Sequence, residues 1–526
     1  MKIISSASMK EYDRKTIEYY GLPGIVLMES AALRVVECIK TLPLKLSKIV
    51  VLSGPGNNGG DGLAVARLLS LAGYQVLLWS TVKPGAYRGD AAVNEKHLLK
   101  KDFPIKRLTG KIVDDCFRHD LEEASLLVDA LLGTGIDREV EGLIADLINT
   151  VNASDLPVLS VDIPSGVNAD NGSVMGSAIR ATWTVTFAFL KTGLLLYPGA
   201  ELAGEIMVAE INIPHQLAAE EKCSLLTPSF IRETLPVRSP DAHKGSLGRT
   251  LLLAGSAGMT GAAVLAAESA LKSGSGLVYL AAPASICAAL ASKLTEVILI
   301  PLSEESPGLI SPDAAATLIE KAGNCDAMAV GPGLATGEAT AELLVKLIQL
   351  CPVPLVIDAG ALDVLGRNMN VLRSARYLPV ITPHPGEMAR LVGISTKQVQ
   401  ENRLEIAVKN AALWNCQIIL KGAHSIVATP DGRAAINPTG NVALATAGSG
   451  DLLTGMVASF MAQGMSAETA AMAGTYIHGL AGDLLPKERG SSARDILNHY
   501  TEAFSCLKTA DLNLFGYPYL FRIRPL

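Results

Sequence analysis

Short, uninterrupted apolar runs alternate along this chain with longer stretches in which apolar residues recur every three or four positions. In the first half the runs fall at 48–52, 75–79, 126–129, 158–162, 184–187 and 206–209. In the second half they fall at 250–254, 277–281, 327–330, 355–358, 380–382 and 417–421. Several are continuous rather than alternating, the pattern of parallel strands covered on both faces. Between the first two runs, Val65, Leu68, Leu69 and Ala72 lie on one helical stripe of a helix expected over 61–72, and Gly73 follows as its stop. Leu453, Met456, Val457 and Phe460 form a second stripe, on a helix expected to begin at Asp451 and to stop at Gly464. The predicted class is α/β, with right-handed crossovers between parallel strands.

A chain of 526 residues exceeds one ordinary core and implies two to four domains at about 150 residues each. A boundary is expected after Pro214, because 215–228 and 238–249 are polar and interrupt the alternation. The net charge of −6 gives no broad attraction to nucleic acid or anionic membrane. No apolar run approaches the ~18–20 residues that span a bilayer, and the polar start from Met1 to Lys15 lacks a signal-peptide core. A cytoplasmic protein with no membrane or nucleic-acid partner is expected. The eight cysteines include no CxxC pair, so zinc is not indicated and buried, reduced thiols are expected. After about Leu507 the chain carries Phe515, Tyr517, Tyr519 and Phe521 with little periodicity, which fits either a docking tail or a poorly ordered end.

Polar, glycine-containing loops follow several of the predicted strands. In the first half these are Gly54-Pro55-Gly56-Asn57-Asn58-Gly59-Gly60-Asp61-Gly62, then Asp129-Ala130-Leu131-Leu132-Gly133-Thr134-Gly135, then Asp162-Ile163-Pro164-Ser165-Gly166. A bare GxG is as often a tight turn as a ligand loop, and a single aspartate there is often a helix cap. Three such loops at the ends of strands in one sheet converge on a site more readily than they serve as three caps.

The second half repeats the arrangement. Thr446-Ala447-Gly448-Ser449-Gly450-Asp451 precedes a helix, where successive amide N–H groups make an anion hole and an aspartate can take a hydroxyl proton. An N-cap aspartate after a flexible turn is the competing reading. Asp358-Ala359-Gly360, Gly331-Pro332-Gly333, Thr382-Pro383-His384-Pro385-Gly386-Glu387 and Lys421-Gly422-Ala423-His424-Ser425 also sit at strand ends. His384 reads either as a structural histidine between prolines or, from its company, as a substrate contact.

The set GPGNNGGDG, VDALLGTG and VDIPSGVNAD resembles the first domain of the bifunctional NAD(P)H-hydrate repair enzymes over about residues 1–215. The second set (GSAGMTGA from Gly255, GPG, TPHPGE, KGAHS and GSGD) resembles their dehydratase domain over about 225–505, leaving 506–526 as a tail. The resemblance implies a Rossmann-like three-layer domain followed by a ribokinase-like α/β domain. It implies epimerisation of hydrated NADH and NADPH at nicotinamide carbon 6, then nucleotide-driven dehydration. In the first domain it implies that Asn57, Asn58, Gly59, Gly60, Asp61, Gly133, Thr134, Gly135, Ile136, Asp137, Arg138, Glu139 and Asp162 contact substrate. Asp162 is the implied acid/base, and Asn58, Asp129 and Ser165 are the implied potassium ligands. Oxygen donors of these types suit such a cation. In the second domain Ala262, Gly333, His384 and Asp451 are the implied contacts to the hydrated cofactor. Lys421, Gly422, Ala423, His424, Ser425 and Gly450 are the implied contacts to ADP or ATP, with Mg2+ accompanying the nucleotide. Asp451 is the implied base. A homo-oligomer is also expected.

Two rival readings follow from the residues. One is a ribokinase-like small-molecule kinase with a non-catalytic nucleotide-binding module in front, since a fold does not fix its function. The other makes the first half a nucleotide-sensing scaffold. The complete first-half motif set, with Asn58, Asp129 and Asp162 intact, argues against both. A plain dinucleotide dehydrogenase fails because the first loop is GPGNNGGDG rather than a spaced GxGxxG followed by an acidic strand end.

Overall fold

A computed structural model describes all residues except 109, 111, 112, 367, 487, 488, 510–512, 515, 516 and 524–526, with 513, 514 and 517–522 described by their backbone. The chain divides into two compact units, Met1–Glu221 together with the last strands of the chain, and Lys222 onward to the helix Tyr500–Thr509.

In the first unit seven strands run parallel in the order Ile105–Arg107, Gln75–Ser80, Lys48–Ser53, Leu126–Ala130, Val158–Val161, Trp183–Phe187 and Glu205–Ala209. The chain steps outward from Lys48–Ser53 to one edge, then returns to place Leu126–Ala130 on the other side of Lys48–Ser53. That reversal opens a crevice at the strands' carboxyl ends, where open parallel sheets bind ligands. Both faces of the sheet are covered. Ile49 and Val51 join one apolar cluster with the helices Gly24–Thr41 and Asn57–Leu71. Val50 and Leu52 join another with the helices Asp115–Glu122 and Gly142–Asn152. Side chains alternate between the faces, and each face meets helices, so the run is apolar throughout. The strand Tyr517–Arg522 adds antiparallel to Glu205–Ala209, with Phe521 in register with Val208. The aromatic tail thus joins the sheet of the first unit, with Tyr517–Arg522 between Glu205–Ala209 and the edge strand Asn513–Leu514; Phe515 lies outside the described residues.

In the second unit Ile298–Leu302, Leu277–Pro283, Arg249–Leu253, Ala327–Val330, Leu355–Ile357, Val380–Ile381 and Gln417–Leu420 run parallel in that order. Ile426–Ala428 and Ala434–Ile436 continue antiparallel, and Cys223–Leu225 pairs parallel with Ala434–Ile436. The polar stretch 215–228 therefore supplies a strand to this unit. The reversal falls between Arg249–Leu253 and Ala327–Val330. The helices Thr260–Lys272, Ser449–Ala462 and Ala467–Asp483 cover one face in a shared apolar cluster.

Both stripe helices start earlier than the apolar periodicity indicated. The first runs Asn57–Leu71 and the second Ser449–Ala462. The polar residues and glycines taken as loop already carry helical backbone, so the motif is the helix's own first turns. All eight cysteines are free thiols; Cys38, Cys325, Cys351 and Cys416 are buried, Cys223, Cys287 and Cys506 are half-buried, and Cys116 is exposed, so the expected burial does not extend to Cys116. Among the described residues no helix is long and apolar enough to cross a membrane.

Candidate active sites

The first crevice is a cleft of about 1040 Å³. Asn57, Asn58 and Asp61 line it from the start of the helix Asn57–Leu71, Gly133 to Glu139 from the loop after Leu126–Ala130, and Asp162 from the end of Val158–Val161. Gly59 and Gly60 do not line it; they are buried in the helix start. Their role there is close approach. A Cβ on Gly59 would fall 1.8 Å from the Gly54 carbonyl oxygen, and one on Gly54 would fall 1.8 Å from that of Leu131. Only glycines let the helix start seat against both strand ends.

Asp129 is fully buried beneath this floor. Its Oδ1 accepts from Ser165 Oγ at 2.6 Å and Leu131 N at 3.2 Å, and its Oδ2 accepts from Ser160 Oγ at 2.8 Å and Ser165 N at 2.9 Å. Four donors fill a carboxylate's acceptor sites. Burial nevertheless raises its pKa, with those hydrogen bonds pulling the other way. Ser165 Oγ in turn accepts the Leu132 N–H at 2.8 Å. Asn58 donates Nδ2 to the Leu132 carbonyl at 2.8 Å, while its buried Oδ1 has no partner among the described residues. An orphaned buried amide oxygen is costly unless a cation or water meets it. The sequence motifs thus bring Asn58, Asp129 and Ser165 together around the Leu132 backbone.

Asp162 occupies the left-handed region at φ 67°, a conformation that costs a non-glycine residue energy and that recurs at functional sites. Its Oδ1 accepts three hydrogen bonds, from Lys191 Nζ at 2.5 Å, Thr186 Oγ1 at 3.1 Å and Phe187 N at 3.1 Å. Lys191 is completely buried and also donates to Thr186 Oγ1 and the Phe187 carbonyl, each at 3.0 Å. Sequence reasoning missed Lys191. The signal was a lysine inside the apolar run Phe187-Ala188-Phe189-Leu190-Lys191, since a buried lysine is rare without a partner. It also missed Asp13, which lines the cleft from the helix Ser6–Glu18 and carries no motif around it. Burial, then the charges of Asp162 and Asp13, push Asp61 well above the usual carboxylate range.

In the second unit the strand-end residues also meet. Gly333 adjoins Ala262: a Cβ on Gly333 would lie 2.9 Å from the Ala262 Cβ, and the Gly333 carbonyl accepts from Ser256 Oγ at 2.8 Å. Lys421 Nζ binds Asp358 Oδ1 at 2.9 Å and lies 3.9 Å from Glu387 Oε2. Thr454 Oγ1, on the helix Ser449–Ala462, donates to Asp358 Oδ2 at 2.7 Å. Burial would raise the Asp358 carboxyl, yet Lys421 and Thr454 hold it below the ordinary value. Asp451 has no such donor among the described residues. Burial, then the Asp358 charge, with Glu387 adding, push it up to about 7 against the pull of Lys421. A Cβ on Gly450 would come 3.1 Å from Lys421 Nζ, so this glycine keeps the helix start open above the lysine.

His384 does two jobs. Its Nδ1 accepts the amides of Gly386 at 3.0 Å and Glu387 at 3.3 Å, capping the helix Pro385–Val392. The ring proton therefore sits on Nε2, on a half-exposed side chain. Arg403, buried under the loop from Lys421 to Ser425, donates to the carbonyls of Ala423, Leu420 and Lys421. Within that loop His424 is buried at φ 50°, and Ser425 Oγ donates to the Gly422 carbonyl at 3.0 Å. Beneath the anion-hole loop, Ser449 Oγ contacts His478 Nε2 at 3.0 Å, and His478 Nδ1 contacts Tyr500 OH at 3.2 Å. Burial, with the Lys421 charge, lowers the His478 pKa to about 4, so the ring is neutral. Neither Arg403 nor His478 belongs to a motif recognised in the sequence.

Comparison with known proteins divides the chain in the same way. Residues 24–193 match a family described as YjeF-related protein N-terminus, and residues 250–501 match one described as NAD(P)H-hydrate dehydratase. The chain is 44% identical over 498 residues to the bifunctional NAD(P)H-hydrate repair enzyme Nnr of Moorella thermoacetica, covering 94% of each chain. It is 38% identical to that of Thermofilum pendens, covering 97% of each, and 32% identical to that of Escherichia coli, covering 92% of this chain and 90% of that one. Among solved structures, the ADP/ATP-dependent NAD(P)H-hydrate dehydratase of Bacillus subtilis, co-crystallised with ATP and Mg2+, is 29% identical, with a TM-score of 0.45. That match covers 54% of this chain and 98% of that one.

Proposed function

The chain belongs to the family of bifunctional NAD(P)H-hydrate repair enzymes, and on that premise we propose that its two units perform successive repair steps. The first interconverts the R and S hydrates of NADH and NADPH. The second phosphorylates the S hydrate from ADP or ATP and eliminates phosphate, returning NAD(P)H. One observation carries this reading: each unit places an aspartate at its own strand-end site, and the two surroundings differ as the two reactions require.

Hydrated carbon 6 bears a hydroxyl beside the ring nitrogen. When the protonated hydroxyl leaves as water, the nitrogen lone pair stabilises the cation, and water returning to the other face inverts the centre. Asp162 handles the proton at that carbon. With Oδ1 held by three donors, its reactive oxygen is Oδ2. Asn57, Asn58, Asp61 and the loop from Gly133 to Glu139 hold the substrate, with Gly59 and Gly60 shaping the helix start beneath it. Potassium fits the orphaned Asn58 Oδ1 and the remaining lone pair of Ser165 Oγ, with Asp129 supplying negative charge. Such a cation would fix the floor of the site and supply a positive field.

In the second unit hydroxide is a poor leaving group, and phosphorylation replaces it with phosphate. Asp451 takes the hydroxyl proton, and the amides from Gly448 to Gly450 stabilise the transferred phosphoryl. Lys421, Gly422, Ala423, His424, Ser425 and Gly450 hold the nucleotide. Ala262, Gly333 and His384 hold the hydrated ring beside Asp451. Mg2+, arriving with the nucleotide, would neutralise phosphate charge; beside the proposed base Asp451, Glu387 keeps its Oε1 free of a hydrogen bond among the described residues, whereas both oxygens of Asp358 are taken. A cytoplasmic homo-oligomer completes the reading. The test is to follow recovery of NAD(P)H from separated R and S hydrates. S should need only nucleotide and the second site, whereas R should also need Asp162. Recovery from R by an Asp162→Asn protein at the wild-type rate would overturn the assignment.

A further inference from the structure

A carboxylate held as Asp162 is held serves one half of a proton transfer better than both. Three donors, one of them the buried ammonium of Lys191 at 2.5 Å, converge on Oδ1. With Oδ1 committed to all three, Oδ2 is the one oxygen of Asp162 free to exchange a proton with the substrate. Epimerisation through loss and return of water needs an acid as well. Ring opening and closure would need the same pair.

Two other carboxyls line the cleft, Asp13 and Asp61, and neither has a hydrogen bond or ion pair among the described residues. Asn58, whose buried Oδ1 has no partner among the described residues, lines the same cleft, so polar side chains without partners reach it from more than one element. We propose that Asp13 is the second catalytic residue of the first cleft, exchanging the proton on one face of the ring while Asp162 Oδ2 serves the other. This rests on the epimerase reading of the first unit.

The division of labour follows from surroundings, the pattern by which two carboxyls in one site take different roles. Burial, with Asp162 adding, pushes Asp13 up to about 6 against the pull of Lys191. It therefore exchanges its proton near neutrality. Burial and the charges of Asp162 and Asp13 push the Asp61 carboxyl well above the usual range, which suits it to donating a hydrogen bond to the substrate.

In the forward step the Asp13 carboxyl gives its proton to the hydroxyl on carbon 6. The C–O bond breaks with its electron pair leaving on water, and the nitrogen lone pair forms the C=N bond. Water then adds from the other face, the C=N pair returns to nitrogen, and Asp162 Oδ2 takes the released proton. One water leaves and one enters, and solvent exchange returns the proton from Asp162 to Asp13. In the reverse direction the two residues exchange roles.

The full chain carrying Asp13→Asn, Asp13→Glu or no change is given the pure R hydrate without nucleotide, and R-to-S conversion is followed by chromatography. Asp13→Asn should lower kcat about 100-fold or more with KM within about threefold, the scale of a lost general acid. Asp13→Glu should recover about tenfold of that. Nucleotide-dependent dehydration of the S hydrate should be unaltered in both. A kcat within about threefold of wild type in Asp13→Asn overturns the assignment. So does a loss confined to KM, a Glu variant no better than Asn, or a parallel loss of dehydration. Failure of the unchanged protein to interconvert the hydrates would instead reject the epimerase reading itself.

Discussion

Asp451 and Asp162 are both aspartates at strand-end sites, yet their neighbours give them different work. Asp451 faces the charges of Asp358 and Glu387, and its pKa is pushed up to about 7. As a base it works only when ionised, so dehydration should weaken as pH falls through about 7, which a kcat/KM profile on the S hydrate will show. Stability carries the opposite sign. The folded pKa lies above the unfolded value of about 3.9, so the folded state holds the proton more tightly and ionisation costs the fold. That penalty grows as pH rises from about 4 and levels off above about 7. Asp451→Asn should therefore melt higher than the unchanged protein at pH 8, and no higher at pH 4. Lys191 is the contrasting case. Removing a buried partner strands a charge, so Lys191→Met should cost about 3 kcal/mol in a denaturant titration and suppress epimerisation. Asp162 and Asp451 were legible because each belongs to a motif, Asp162 just after a strand and Asp451 in the first turn of a helix. Lys191 and Asp13 were not, because they reach Asp162 through the fold, from a strand and a helix with no motif of their own.

At the scale of elements, the parallel strands were readable because both faces of each sheet are covered and the runs are apolar throughout. The helix starts were not. Apolar periodicity marks where a helix packs, whereas the first turns of Asn57–Leu71 and Ser449–Ala462 carry polar residues and glycines. The glycines there serve close approach, as the 1.8 Å distance from a Gly59 Cβ to the Gly54 oxygen shows. Gly59→Ala should abolish epimerisation and lower the melting temperature. The second helix start rests on Ser449, His478 and Tyr500. His478→Ala leaves a cavity and two polar groups without their partner, so it should cost about 3 kcal/mol and reduce dehydration while sparing epimerisation. An unchanged dehydration rate would show that this buried chain serves packing alone.

For the whole molecule, the order of motifs along the chain was readable, but the course of its end was not. A tail with little periodicity gave no direction, and its place antiparallel to Glu205–Ala209 is set by a partner strand some three hundred residues earlier. Two sites in two separate units also make a claim about the enzyme as a whole. Spontaneous hydration yields both epimers, whereas a chiral dehydratase site takes one, so an attached epimerase lets the whole pool be repaired. An Asp162→Asn protein mixed with an Asp451→Asn protein should therefore restore repair of both hydrates, because each supplies the site the other lacks.

The most direct test is to incubate the purified protein with mixed R and S hydrates, with ADP, with ATP and with neither, and to follow the return of dihydronicotinamide absorbance. The account predicts complete recovery with at least one nucleotide, and recovery of only the S share at comparable speed when Asp162 is replaced by Asn. No recovery with either nucleotide would contradict it.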